Sequence, residues 1–245
     1  SGPSALMLAA QLDEEKFNVI IYERNFAPAR KFLVAGDGGF NLTHSENTDR
    51  FILRYTPASF FEKLISSFNN NDLRDWLKSI GIETYVGTSK RVFPVKGIKP
   101  IDVLNAILEG VKRKNVQIKT QHLWKGWDEK NELLFENNKI DVFIRPDITV
   151  FALGGASWSK TGSDGSWATF FEKKGIEIMP FFASNCAYAV DWDKNFLASA
   201  EGKSLKNISV SCNGKTKKGE LVITHFGLEG GAIYALSPEI RGQLK

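Results

Sequence analysis

Gly2-Pro3-Ser4-Ala5-Leu6-Met7-Leu8-Ala9-Ala10-Gln11-Leu12 is followed, after a short polar stretch, by Asn18-Val19-Ile20-Ile21-Tyr22-Glu23. Pro3 stands where its missing N–H costs nothing, and the Ala, Leu and Met after it are strong helix formers, so residues 3–12 read as a helix. The β-branched run at 18–23 reads as a short strand buried in a parallel sheet. A helix that opens at once and feeds a buried strand implies a strand ahead of it, so the first β of a βαβ unit is expected to precede Ser1. The class is therefore α/β.

Outward from this unit, residues 24–50 are basic and loop-like around Gly36-Asp37-Gly38-Gly39. An ordered loop of that length is usually functional. Helical patterns follow at 57–68 and 71–80, the second stopped by Gly81. Residues 101–114 place Ile101, Leu104, Ile107, Leu108 and Val111 on one face of an amphipathic helix. Residues 116–144 read as a strand and then a small antiparallel meander. A second buried strand is expected at 148–153, running straight into Gly154-Gly155. Beyond Pro180 helical patterns give way to strand-like runs. We therefore expect a first domain at 1–178 and a β-rich one beginning at 179–245.

With 245 residues there is chain enough for one or two domains and a sizeable core, filled in part by 18 Phe and 6 Trp. No stretch approaches the ~20 apolar residues of a membrane span, so no membrane partner is expected. The net charge of +4 is a small excess rather than a polybasic surface, and composition does not call for nucleic acid. Cys186 and Cys212 are isolated thiols without metal-ligand spacing; they fit core residues in a reduced, cytoplasmic compartment, and no metal is expected. No export leader is visible.

Four blocks can carry chemistry. Gly2, Pro3, Ser4 and Ala5 open a helix, and Glu23 closes the next strand 21 residues after Gly2. In a dinucleotide fold, glycines admit a pyrophosphate to free helix N–H groups, and an acid about 20 residues on takes the ribose hydroxyls. An ordinary helix start with a strand-end acid explains the same residues. Arg30 and Lys31 with the turn at Gly36–Gly39 form an anion-binding nest or, alternatively, a surface loop with two solvated cations. Gly154 and Gly155, at the carboxyl end of a buried strand, either admit a ligand or make a tight turn, and Asp164 fits a helix cap. His225 ends a strand where a proton shuttle is possible, although a structural histidine is the commoner case. His122 has no partner pattern.

Taken together, GPSALMLAAQL, IIYERNFAPARKFLVAGDGGFNLTHSE, RVFPVKGIKPIDVLNAIL, FALGGASWSKTGSDGSW and GELVITHFGLEGGAIYALS resemble the bacterial flavoproteins of the HI0933-like family, especially the branch with GGxNLTHSE. The resemblance runs nearly end to end. It implies a glutathione-reductase-like, FAD-binding Rossmann domain with an inserted β-rich second domain, incomplete at both ends here. It implies FAD as cofactor, with Gly2, Pro3, Ser4 and Ala5 at the pyrophosphate, Glu23 at the adenosine ribose and Arg24 beside it. Arg30, Lys31, Gly36, Gly39, Asn41 and Leu42 would line the flavin-side loop, and Gly154 and Gly155 would approach from the second strand. Many relatives carry a cysteine where this chain reads Gly39-Phe40-Asn41, so no active-site thiol follows. Relatives usually read THxGxSGP where this chain has Glu229 and Gly231, which leaves His225 without an implied role.

The function implied is an FAD-dependent oxidoreductase, with NADH or NADPH as electron donor and an unknown small-molecule substrate; no catalytic acid or base is assigned. Two rivals remain at this level: a flavin-free NAD-dependent dehydrogenase, and a flavin- or RNA-binding module without turnover that uses Arg30, Lys31 and the Lys112-Arg113-Lys114 cluster.

Overall fold

A computed structural model describes residues 1–34 and 40–244. The chain divides into two compact units, Ser1–Ile178 and Met179–Lys245. In the first, α1 (Pro3–Gln11) leads to β1 (Ile20–Tyr22). The loop beyond it is more structured than its composition suggests, holding a 3₁₀ turn at Arg30–Leu33, β2 (Thr43–His44) and α2 (Thr48–Ile52). Asn47 starts α2 by accepting the Arg50 amide, a capping signal hidden in a polar stretch. Next come α3 (Ala58–Ser67), α4 (Asn70–Ser79), β3 (Thr84–Val86), β4 (Arg91–Pro94) and α5 (Pro100–Arg113). The unit closes with β5 (Gln117–Lys119), β6 (Leu123–Trp127), β7 (Leu133–Asn137), β8 (Ile140–Ile144) and α6 (Ala168–Lys173).

The Rossmann-type core is small. β1 and β5 pair in parallel, Ile21 opposite Ile118, and the Glu23 amide extends the ladder to the Lys119 carbonyl at 2.9 Å. Such a pair needs a crossover, and α5 supplies the helix of that connection. Pro100 stands in its first turn and the Lys99 amide donates to Asp102 at 2.8 Å, fixing where it starts. Its buried face (Val103, Leu104, Ile107, Val111) packs on Leu6 and Ala9 of α1. Leu6 and Val103 are fully buried, each removing about 1.5–3 kcal/mol of apolar surface from water. Lys114 then ties the helix ends together, donating to the Leu12 carbonyl and to Glu14, both at 2.8 Å.

Two antiparallel sheets flank this core in sequence. One has the order β2-β4-β3, with Val92 wholly buried at its centre; the other is the expected meander, β6-β7-β8. Trp124, Leu133 and Phe135 form the meander's core, joined by Phe170 and Phe171 from α6.

The expected strand at 148–153 does not form. Ile148 and Val150 are 70% and 63% exposed, while Phe151 leans on Trp124 at 4.8 Å between ring centres and Leu153 packs against the meander core. A β-branched run becomes a strand only when a neighbour takes its backbone hydrogen bonds, and no strand among the described residues does so.

In the second unit, β10 (Ser204–Cys212), β11 (Lys215–Thr224), β12 (Gly227–Glu229) and β9 (Tyr188–Ala189) form one antiparallel sheet in that order. Helices do not vanish after Pro180. Asp193 caps α7 (Lys194–Ala200), and α8 (Gly231–Tyr234) and α9 (Ser237–Gln243) follow the sheet. The sheet's inner face buries Leu221 and Ile223 with Ile233 of α8. Gly227 is required there, because a Cβ would lie 1.9 Å from the Tyr188 carbonyl oxygen.

No helix among the described residues is long and apolar enough to cross a membrane.

Candidate functional site

Glu23 ends β1 directly beside the start of α1. It is 8% exposed, and its carboxylate is fully occupied. Oε2 accepts from the Ser1 backbone nitrogen at 2.7 Å and the Ser1 hydroxyl at 2.8 Å, and Oε1 accepts from the Asn25 amide and from Asn25 Nδ2, both at 2.8 Å. Four donors converging on its two oxygens are what an ionised carboxylate takes.

The first turn of α1 faces this anion without a cap of its own. Gly2 makes no side-chain bond, and Pro3 at the first helical position has no N–H to offer. The amides that follow belong to Ser4 and Ala5, at the positive end of the helix dipole. The Ser1 carbonyl accepts the Ala29 amide at 3.0 Å, which folds the loop after Glu23 back onto the helix start.

That loop also gathers the third block. Arg24 donates to Asp164 at 3.0 Å and to the Gly162 carbonyl, and Lys31 bonds the Ser157 hydroxyl. Burial raises the Asp164 carboxyl, while the Ser166 amide and Arg24 lower it further, for a net pKa below the ordinary aspartate value. Arg24 and Lys31, expected at the cofactor, thus spend their charge on fastening the 157–164 turn. Arg30 stays exposed, its guanidinium over the Phe26 ring at 5.1 Å.

Asn41 is exposed, and Leu42 packs against the α1–α5 core with its amide bonded to the Val92 carbonyl at 2.8 Å. Gly36 and Gly39 lie outside the described residues.

The two glycines of the third block separate cleanly. Gly154 has φ +84°, and a Cβ there would stand 3.0 Å from Ser163 Oγ, so the turn itself demands glycine. Gly155 lies outside the left-handed region, and a Cβ on it would meet nothing within 4 Å; Gly2, at φ −77°, is equally open. Among the described residues nothing requires glycine at 2 or 155. Open space above a backbone without a side chain is what a cofactor's close approach needs, and with the uncapped helix start it fits a dinucleotide. The four donors on Glu23 also bear on the fit. A carboxylate offers about four lone-pair positions, so ribose hydroxyls would exchange with the side-chain donors of Ser1 and Asn25.

Asn25 is a site residue that the sequence hid; its only signal was its place two residues after the strand-end acid. The Arg24–Asp164 pair, 140 positions apart, left no local trace.

The remaining candidates resolve structurally. His225 is 70% exposed, 3.5 Å from Glu201 in the second unit. His122 Nδ1 donates to the Thr120 carbonyl, 2.6 Å away, and the ring meets Tyr22 edge-on. Lys114 is committed to Leu12 and Glu14, which removes it from the basic cluster that an RNA-binding module would use. Both cysteines are half-buried free thiols. Among the described residues no group of three or more His, Cys, Asp or Glu could hold a metal ion.

Two curated proteins match over nearly the whole chain. The ribosomal RNA dihydrouridine synthase of Haemophilus influenzae is 23% identical over 244 residues, covering 97% of this chain and 59% of its own length. The protein of the same name from Escherichia coli is 22% identical over 242 residues, covering 97% and 58%. The chain thus spans a little under three-fifths of the length of these relatives. A family model, that of the HI0933-like protein Rossmann domain, matches residues 1–231, and by that match the chain belongs to the HI0933-like family.

Proposed function

We propose that this chain carries the FAD-binding part of an NAD(P)H-linked oxidoreductase that reduces uridine in RNA. The observation that carries the flavin half is the conjunction at the helix start: an uncapped first turn, a buried ionised Glu23 beside it, and backbone left open at Gly2 and Gly155. Membership of the family supports the same reading. The names of the two relatives, rather than the charge of this chain, bring RNA into it.

Dihydrouridine differs from uridine by two hydrogens across the C5=C6 bond, so its synthesis needs a hydride equivalent and a proton. FAD, when bound, supplies the electron pair, while NADPH or NADH restores it. The chain's own part is binding and orientation. Ser4 and Ala5 would hold the pyrophosphate through backbone amides, and Glu23 would take the adenosine ribose. Arg24 and Lys31 would act at one remove by keeping the 157–164 turn, and with it Gly155, against the loop after β1.

The test is an anaerobic incubation of the purified protein with NADPH and rRNA lacking dihydrouridine, followed by mass spectrometry of the digested RNA. A uridine that gains two hydrogens only when FAD is present supports the proposal. Rapid flavin reduction by NADPH with no modified uridine would leave an oxidoreductase of another substrate, and a protein that takes up no flavin would overturn both halves.

A further inference from the structure

Beside the flavin-side loop residues Asn41 and Leu42 lies a cleft of about 440 Å³, within the roughly 300–1,000 Å³ typical of small-molecule sites. Its walls come from the α2–α4 segment and from the edge of the β2–β4 pair. Four features of its lining have no partner among the described residues.

Asn70 is 2% exposed, and its Nδ2 donates to the carbonyls of His44 at 2.6 Å and Glu46 at 2.9 Å. Carbonyls only accept, so the orientation of the amide is fixed, and its Oδ1 is a buried acceptor without a donor among the described residues. A ligand N–H would supply the bond that this buried oxygen lacks. Phe51, Tyr55 and Phe68 contribute ring faces and edges to the same cleft, and Tyr55 and Phe68 are 37% and 41% exposed. Arg91, on the central strand β4 opposite His44 of β2, makes no ion pair among the described residues, although Glu46 nearby is taken by Arg54. Asn69 spends its Oδ1 on capping α4, which leaves its Nδ2 available to a carbonyl.

An acceptor for one N–H, an amide donor for a flanking carbonyl, aromatic walls and a cation unpaired among the described residues together describe a planar imide base carrying a phosphate. From this we infer that the cleft bounded by Asn70, Phe68, Tyr55 and Arg91 binds a uracil nucleotide. The N3–H of the base meets Asn70 Oδ1, the ring stacks on the aromatic walls, and the phosphate pairs with Arg91. The assignment rests on the proposed function, since it places the uridine to be reduced next to the loop expected to hold the flavin.

The test uses uridine 5′-monophosphate as probe, titrated into the isotopically labelled full chain while the side-chain amide resonances of Asn69 and Asn70 are followed. Saturable shifts are expected. N3-methyluridine 5′-monophosphate, which lacks the hydrogen that Asn70 needs, should bind roughly tenfold more weakly or worse, a test that no misfolded variant can confuse. Arg91→Gln should weaken the monophosphate several-fold yet leave uridine itself unchanged, and Phe68→Ala should weaken both by roughly tenfold. Equal binding of the methylated and unmethylated nucleotides, or no shift at either asparagine, overturns the inference. Flavin content measured on the same samples keeps the two ideas apart. A flavin-loaded protein that modifies rRNA equally well with and without Arg91→Gln and Phe68→Ala sinks the cleft assignment alone. A flavin-free protein that binds the nucleotide as described sinks the proposed function and leaves the cleft standing.

Discussion

Neighbouring glycines in one turn are expected to answer the same substitution with opposite signs. At Gly155 an added methyl group meets nothing within 4 Å and the backbone lies outside the left-handed region, so Gly155→Ala mainly removes freedom from the unfolded chain. That should stabilise the apoprotein by about 0.4–1 kcal/mol. At Gly154 the same methyl group must sit at φ +84° and 3.0 Å from Ser163 Oγ, on a serine that is 8% exposed and has little room to retreat. The left-handed backbone costs about 1–2 kcal/mol and the crowding about 1–2 more, so Gly154→Ala should destabilise by roughly 2–4 kcal/mol. Flavin affinity should rank them differently. If cofactor backs onto the open face of Gly155, its methyl group costs about 1–3 kcal/mol of binding, roughly a 5- to 150-fold rise in Kd. Urea unfolding of the apoproteins and fluorescence titration with FAD measure the two quantities separately. A Gly155→Ala protein that is more stable and binds FAD as tightly as the parent would refute the reasoning, because open space at that glycine would then serve no ligand. Gly2 is less suited to this test, since alanine is a poor residue at the start of a helix and would blur the stability readout.

Glu23→Gln leaves one oxygen for four donors, so at least two charge-assisted bonds are lost; we expect a loss of about 2–4 kcal/mol of stability and weaker FAD binding, read by melting and titration, and an unchanged melting point would discount the network. The folded carboxyl of Asp164 is held below its ordinary value, so the stability it contributes is complete above that value and lost as pH falls through the lowered one. The stability gap between the parent and Asp164→Asn, about 0.5–1 kcal/mol after allowance for solvent screening of a partly exposed pair, should therefore be present near neutrality and close below about pH 4; a gap that widens with acid would contradict the ion pair with Arg24. His225→Gln should change stability by less than about 0.5 kcal/mol, since the side chain is 70% exposed, and should leave the pH profile of flavin reduction unaltered; loss of a limb near neutrality would restore a proton-transfer role.

Local order was well encoded. Pro3 and the Ala-Leu-Met run after it, the apolar face of residues 101–114 and the short polar breaks of the meander each fix an element through neighbours a few positions away, and each appears within a residue or two of where the pattern puts it. Pairing was not so encoded. Ile148 and Val150 have strand chemistry, but a strand is a relation between two segments, and the second was not legible in the run itself. Asp193 marks α7 by capping it, but the residues around it are strand-like in composition. At the site, Gly2 and Glu23 could be read from spacing. That Gly154 serves the turn while Gly155 stands open could not, because the difference lies in one backbone angle and in the position of Ser163. Asn25, Asp164 and Asn70 matter through partners brought together by the fold, and single-residue patterns carry no trace of them.

The visible absorption spectrum of the purified protein, recorded before and after anaerobic addition of NADPH, tests most directly whether the helix start at Gly2, the buried Glu23 and the open Gly155 hold FAD. The expected result is a yellow protein with the two flavin bands, released as FAD on denaturation and bleached by the nicotinamide. A well-folded protein that is colourless, gains no flavin bands when incubated with FAD and shows no change with NADPH would contradict it.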